Sequence, residues 1–230
     1  MNFFKIELEI EERLQADEKT KLLRLADGFH SCITDGPVHI TITRKHRNLD
    51  FLWTFQLNME SKGTFFLLSP RLWKLLEELD TTGYFLRETN TKLVFQHESY
   101  ERDYRQMVIT GWGGIAKGIR RVESHRGKHC YTLPENPSDL LNLDQWDGSD
   151  IFRIWPACGI YVTERVAEIV KNKKIRGLHL RRIEEISFTP VDENVGLIGH
   201  PLASMYPEEK ARKIGEPLGI YRWEEDKREA

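Results

Sequence analysis

Two histidine–cysteine pairs are the residues with the most chemistry to offer. His30-x-Cys32 and His129-Cys130 together supply two imidazoles and two thiols, the donor set of a tetrahedral zinc site. Their spacing argues against that use. Neither pair has the Cys-x-x-Cys interval, and the adjacent side chains of His129 and Cys130 turn to different sides of an extended chain. The expectation is ordinary thiols with surface histidines, no metal and no cofactor. A second cluster, Gly111, Gly113, Gly114 and Gly118, stands beside Lys117, Arg120, Arg121, Arg126 and Lys128. A phosphate-cradling loop needs ordered glycines ahead of a helix, with Lys-Ser or Lys-Thr in the ATPase form; Gly118-Ile119 ends that match. What remains is Trp112, Lys117, Arg120 and Arg121 as a candidate patch for a nucleotide or nucleic acid, with one aromatic ring for stacking.

A third constellation is acidic. Residues 134–156 carry Asp139, Asp144, Asp147 and Asp150 with Trp146 among them and Arg153 as the opposing base. Trp anchors inside a charged rim suit a protein–protein contact, so Asp139, Asp144, Trp146, Asp147 and Asp150 are the candidate partner-binding residues. Nucleophilic catalysis finds less support. Ser69 and Thr163 stand on strand-to-helix turns, but their hydroxyls suit helix capping, and Pro70 follows Ser69. Neither a Gly-x-Ser-x-Gly elbow nor a His-Glu-x-x-His motif is present. The acid pairs Glu77/Glu78, Glu184/Glu185 and Glu208/Glu209 stand beside bases and suit solvated faces. A binding protein rather than an enzyme is the expectation.

The bulk properties restrict the partners. The chain has 230 residues, Lys+Arg 34 against Asp+Glu 36, and a net charge of -2. That balance offers no global attraction to nucleic acid or to an acidic membrane surface. No run approaches the ~18 apolar residues of a membrane span. The first twelve residues carry acids where a signal peptide carries bases. Three widely spaced cysteines, Cys32, Cys130 and Cys158, do not make a disulfide framework. A cytoplasmic protein with reduced thiols is expected.

The elements that must position these residues follow from period and punctuation. Residues 1–9 suggest a strand and residues 11–26 a short helix. Residues 38–43 and 49–57 alternate at period two and suggest a hairpin with one aromatic face. Phe65-Phe66-Leu67-Leu68 is an apolar strand, Ser69 an N-cap, and Pro70 the first helical residue. Leu72, Leu75, Leu76 and Leu79 form the helical stripe, Gly83 closes the helix, and residues 84–86 resume as a strand. The pattern recurs. Residues 160–162, the cap Thr163, the stripe Val166, Ile169 and Val170, the stop Gly177, and residues 178–180 repeat it at an offset of 94 positions. Residues 92–95, 105–110, 129–133 and 186–190 suggest further strands, and residues 207–214 a short helix. Gly111 to Gly114 suggests a turn, and residues 134–150 a long loop with one helical turn. The expected fold is α+β, a mixed sheet with two similar strand–helix–strand units. The expected organisation is a single domain over 1–230, with two packed halves of about 1–125 and 126–230.

Three segments carry a resemblance: Asp150-Ile151-Phe152-Arg153-Ile154-Trp155-Pro156, Ile160-Tyr161-Val162-Thr163-Glu164-Arg165-Val166, and Ile175-Arg176-Gly177-Leu178. Together they resemble the C-terminal signature of the bacterial double-CXXCG motif family, linked to immunity proteins of polymorphic toxin systems. The two Cys-x-x-Cys-Gly motifs of that family are absent; Cys32 and Cys130 stand alone in roughly corresponding regions. The resemblance therefore implies a shared scaffold without its metal and carries no catalytic residues. It implies an immunity-like protein that neutralises a cognate toxin by direct contact. The competing expectations are a nucleic-acid or nucleotide-binding protein using residues 111–128, and an enzyme whose site is assembled from distant residues.

Overall fold

A computed structural model describes residues 1–8, 14–15, 21–24, 32–35, 38–41, 49–57, 62–95, 98–123, 129–132, 134–155, 157, 159–186, 209 and 213. Strands dominate it. The first half of the chain contributes β1 (Phe3–Leu8), β2 (Leu14–Gln15), β3 (Lys21–Arg24), β4 (Cys32–Asp35), β5 (His39–Thr41), β6 (Phe51–Leu57) and β7 (Lys62–Leu68). Helix α1 (Pro70–Glu78) follows, then β8 (Tyr84–Glu88), β9 (Thr91–Phe95) and β10 (Glu98–Arg102). The second half contributes β11 (Arg105–Ile109), β12 (Gly111–Ile115), β13 (Arg120–Glu123), β14 (His129–Thr132), β15 (Ile151–Trp155) and β16 (Tyr161–Thr163). Helix α2 (Glu164–Asn172) and β17 (Leu178–Arg182) complete it.

This is a mostly β protein, which corrects the α+β expectation. Two nine-residue helices accompany 17 strands among the described residues. The strand–helix–strand segments are not self-contained units: β11 separates β7 from β8, and β1 separates β16 from β17. The working architecture is a pair of five-stranded sheets, ordered β2-β6-β7-β11-β8 and β12-β15-β16-β1-β17. Among the described residues a three-stranded sheet, β10-β9-β5, and the hairpins β3–β4 and β13–β14 accompany them. Local pattern misled in three further places. Strands β2 and β3 occupy residues expected to be helical. The expected hairpin of residues 38–43 with 49–57 does not form, because β5 pairs parallel with β9 and β6 pairs antiparallel with β7. Gly111 to Gly114 is strand rather than turn. Glycine is needed there for close approach: a Cβ on Gly113 would lie 2.5 Å from the Phe152 ring, and one on Gly111 2.1 Å from the Ile151 carbonyl oxygen. Of the expected strand at 186–190, Ile186 follows a 3-10 turn at Ile183–Glu185, and the rest lies outside the described residues. Of the expected helix at 207–214, Glu209 and Lys213 are helical, and the rest lies outside the described residues.

The continuous apolar run in β7 is explained by burial on both faces. Phe66 and Leu68 join a central core with Phe51, Leu72, Leu76, Ile151, Val162, Val166 and Val170, drawn from both sheets and both helices. Phe65 and Leu67 face a second cluster with Val38, Ile40, Leu52 and Leu93. The other sheet does the same: Phe152, Ile154 and Tyr161 pack with Phe3, Leu140 and Leu141. Each fully buried side chain of this size contributes about 1.5–3 kcal/mol.

Both helices start and stop alike. Ser69 Oγ accepts from Leu72 N at 3.3 Å, with Pro70 as the first helical residue. Thr163 holds the equivalent position, but its hydroxyl makes no cap bond to the helix. At the other end the left-handed residue is not glycine. Asp80 (φ 46) and Lys174 (φ 50) take that conformation. Thr81 N then donates to Leu76 O at 3.1 Å, and Ile175 N donates to Val170 O at 3.0 Å. This is the bonding of a Schellman end. Gly83 and Gly177 therefore do a different job from the helix stop expected of them. Their φ values are +90 and +99, and a Cβ would lie 1.9 Å from Ile151 O and 2.4 Å from Phe51 O, respectively. Each glycine lets one turn press against a strand of the opposite sheet.

Two buried aspartates hold those turns. Asp50 Oδ1 accepts from Ser69 Oγ at 2.7 Å, and Oδ2 accepts from Arg176 N at 3.0 Å and Arg71 Nη1 at 3.2 Å. Asp150 Oδ1 accepts from Thr163 Oγ1 at 2.9 Å, and Oδ2 accepts from Thr82 N at 3.1 Å; Arg165 Nη1 lies 3.6 Å away. Each carboxylate thus joins the cap of its own helix to the residue before the glycine of the other segment. Arg71 Nη2 also donates to Lys173 O. The start of α1 therefore lies by the end of α2, and the two helices run in opposite senses.

Candidate functional site

The acidic segment 134–150 connects the β13–β14 hairpin to β15. Its chain is anchored from inside and from the side. Asn136 accepts from Ser138 N at 3.1 Å and starts a 3-10 turn at Pro137–Asp139. Leu140 and Leu141 then plunge into the core beside Phe152 and Tyr161. Strand β12 holds the rest by its backbone. Lys117 N, just beyond β12, donates to Asp139 O at 2.7 Å, and Ile115 N donates to Gln145 Oε1 at 2.8 Å. Trp112 and Asp147 exchange two bonds: Asp147 N donates to Trp112 O at 2.9 Å, and Trp112 N donates to Asp147 Oδ2 at 3.0 Å. Gln145 N and Trp146 N both donate to Asn142 O at 3.0 Å, which closes a turn over residues 142–146.

The five acidic-segment candidates are therefore brought into one loop but given different tasks. Asp139 is half-buried, and its carbonyl serves Lys117. Trp146 stands edge-on to Phe3 at 5.3 Å and donates its Nε1 hydrogen to Ser149 O at 3.1 Å. Asp147 is consumed by Trp112 N and by Ser149 N and Oγ. Asp150 is 8% exposed and belongs to the buried joint above, so it presents nothing to a partner. Asp144 faces solvent with a side chain 86% exposed, 3.6 Å from Lys117 Nζ. Such an exposed pair is worth at most about 1 kcal/mol and leaves the carboxylate open to a competitor. Beside it Leu143 is 59% exposed. Sequence reasoning passed over Leu143; an apolar residue flanked by Asn142 and Asp144 at the tip of an acidic loop was the available signal.

The alternative basic candidates lie on β12, just beyond it, and on β13. Trp112 is 5% exposed and cannot offer a ring face for stacking. Lys117 is tied to Asp144, so the acidic and basic candidates share one face. Arg120 and Arg121 lie in β13, paired with Thr132 and Tyr131 of β14, while Arg126 and Lys128 lie outside the described residues. Of the four candidate metal donors, three lie on described strands. Cys32 opens β4, opposite Arg24; His129 and Cys130 open β14, opposite Glu123 and Val122. His30 lies outside the described residues. Among the described residues no three His, Cys, Asp or Glu side chains are grouped to hold a metal ion. Nor is any described helix long and apolar enough to cross a membrane.

Among the described residues three groups have shifted acidities. Burial, then the charge of Asp50, pushes the Tyr104 phenol up to about 12, with Arg102 opposing. Burial likewise raises Tyr84, against a hydrogen bond with Thr81. The hydrogen bond from Asn2 Nδ2 at 2.6 Å holds the Glu164 carboxyl below its usual value.

No protein-family model matches the chain, and a comparison with curated proteins found no significant match.

Proposed function

We propose that this chain is a bacterial, cytoplasmic, immunity-like protein that neutralises a cognate toxin by direct protein–protein contact. The resemblance of residues 150–178 to the double-CXXCG motif family motivates the class. The observation that carries the surface is the 134–150 loop. Its backbone is lashed to β12 and its core side is buried, while Leu143 and Asp144 project outward. A loop already held in one shape loses little conformational entropy on binding. An apolar tip beside an open carboxylate suits a basic, partly apolar groove on the toxin.

The test is a pull-down with tagged protein, followed by titration against the product of the adjacent gene. The expected result is a 1:1 complex, with Leu143→Arg/Asp144→Lys weakening it at least tenfold at unchanged thermal stability. Unaltered binding by that variant would move the contact elsewhere. Recovery of nucleic acid alone, lost at high salt, would instead favour the nucleic-acid reading. A turnover product from a small-molecule screen would favour an enzyme.

A further inference from the structure

The two five-stranded sheets match strand for strand. In order, β2, β6, β7, β11 and β8 correspond to β12, β15, β16, β1 and β17. The directions agree too. The first pair is parallel in each sheet, and the other three are antiparallel. The registers agree residue by residue at the centre. Lys5 lies between Tyr161 and Arg181, and Gln106 lies between Leu67 and Arg87. Tyr161 and Arg181 stand 94 positions after Leu67 and Arg87. Ile6 and Met107, one residue on, are both buried in the shared core. The hairpins β3–β4 and β13–β14 come at the same point of the order, between the parallel edge strand and the next. The left-handed residues Asp80 and Lys174, the glycines 83 and 177, and the joints at Asp50 and Asp150 also correspond.

In chain order each half runs leading strand, edge strand, hairpin, two strands, helix, strand; the first half adds β5 before its two strands and β9 and β10 after its last, and these three form the separate small sheet. Only the leading strands are out of place. β1 opens the first half but fills the centre of the second half's sheet. β11 opens the second half but fills the centre of the first half's sheet. We infer that the chain is two copies of one β unit that have exchanged their leading strands, a strand-swapped dimer joined into a single polypeptide. The junction falls between β10 and β11, at about residue 102, and neither half is a separable domain. Without its lent strand, each sheet would have two unpaired edges facing across a gap, with their backbone N–H and C=O groups unsatisfied. The fixed aspartate joints follow the same cross-wise logic, since each half's carboxylate secures the other half's turn.

The experiment uses the full chain with a protease site inserted between the exposed residues Arg102 and Asp103. After cleavage the two fragments should elute together at 1:1 and unfold in one urea transition. Hydrogen exchange gives the second readout. Ile6→Ala, a cavity variant, should speed exchange at residues 161–163 and 178–182 by at least tenfold relative to residues 62–68. Met107→Ala should do the reverse, loosening residues 62–68 and 84–88. Separation of the cleaved fragments under native conditions would overturn the inference. So would an Ile6→Ala effect confined to its own half, at residues 51–57 and 62–68.

Discussion

Asp50→Ala is the substitution with the most to say about how this chain holds together. The carboxylate is buried and receives three hydrogen bonds, from Ser69 Oγ, Arg176 N and Arg71 Nη1. Bonds to a charged acceptor contribute about 1.5–3 kcal/mol each, and the two from Ser69 and Arg176 both end on the buried Asp50 carboxylate. The Arg71 side chain is half exposed, so its share is at most about 1 kcal/mol after solvent screening. Ser69 retains its bond from Leu72 N, so the helix cap is weakened rather than lost. The total comes to about 3–7 kcal/mol. At this chain length that corresponds to a fall in Tm of roughly 6–28 °C. Urea denaturation followed by circular dichroism measures it directly, with an unchanged m-value as the control for compactness. A loss below about 1 kcal/mol would refute the reasoning, because it would mean that the Arg176 turn stays seated without the carboxylate. The same substitution at Asp150, which serves Thr163 and Thr82, should cost a similar amount.

Three further outcomes follow from the same joints. Gly177→Ala places a Cβ where Phe51 O stands 2.4 Å away, on a backbone at φ +99, and should destabilise by more than about 3 kcal/mol in the same urea assay. Lys174→Gly relieves a left-handed lysine; about 1–2 kcal/mol of strain, less about 0.4–1 of unfolded-state entropy, leaves a rise of up to about 1.6 kcal/mol in stability, read as an increase in Tm. Tyr104 stays protonated up to about 12 when folded, against 10.0 for the free side chain. Its contribution is whole below pH 10 and is lost as pH rises towards 12, so by pH 11 the wild type should lose about 1.4 kcal/mol that Tyr104→Phe does not lose.

Local order was legible in the sequence wherever neighbours along the chain decide the conformation. Ser69-Pro70 set the start of α1, and the stripe of Leu72 and Leu76 set its buried face. Strands such as β7 and β9 were visible from apolar runs and period. The common spacing of 94 between the two helical segments was visible as well. The candidate loop could be found from its acids, and Asp144 is indeed outward, but Leu143 was overlooked and Asp150 proved to be internal.

Tertiary structure alone decided what fills each sheet. A strand carries its period in its own residues but not the identity of its partner, and here β1 pairs with residues more than 150 positions away. The same holds for Asp50. Its bond partner Arg176 N lies 126 residues on, so nothing local distinguishes it from a surface aspartate before a strand. Gly83 and Gly177 looked like helix stops because both roles favour glycine; only the approach of Ile151 O and Phe51 O separates them. The fold class was misjudged for this reason too. Two strong helix signatures stand out in a sequence, whereas short strands with distant partners do not, and the sheets that dominate the molecule come from those distant pairings.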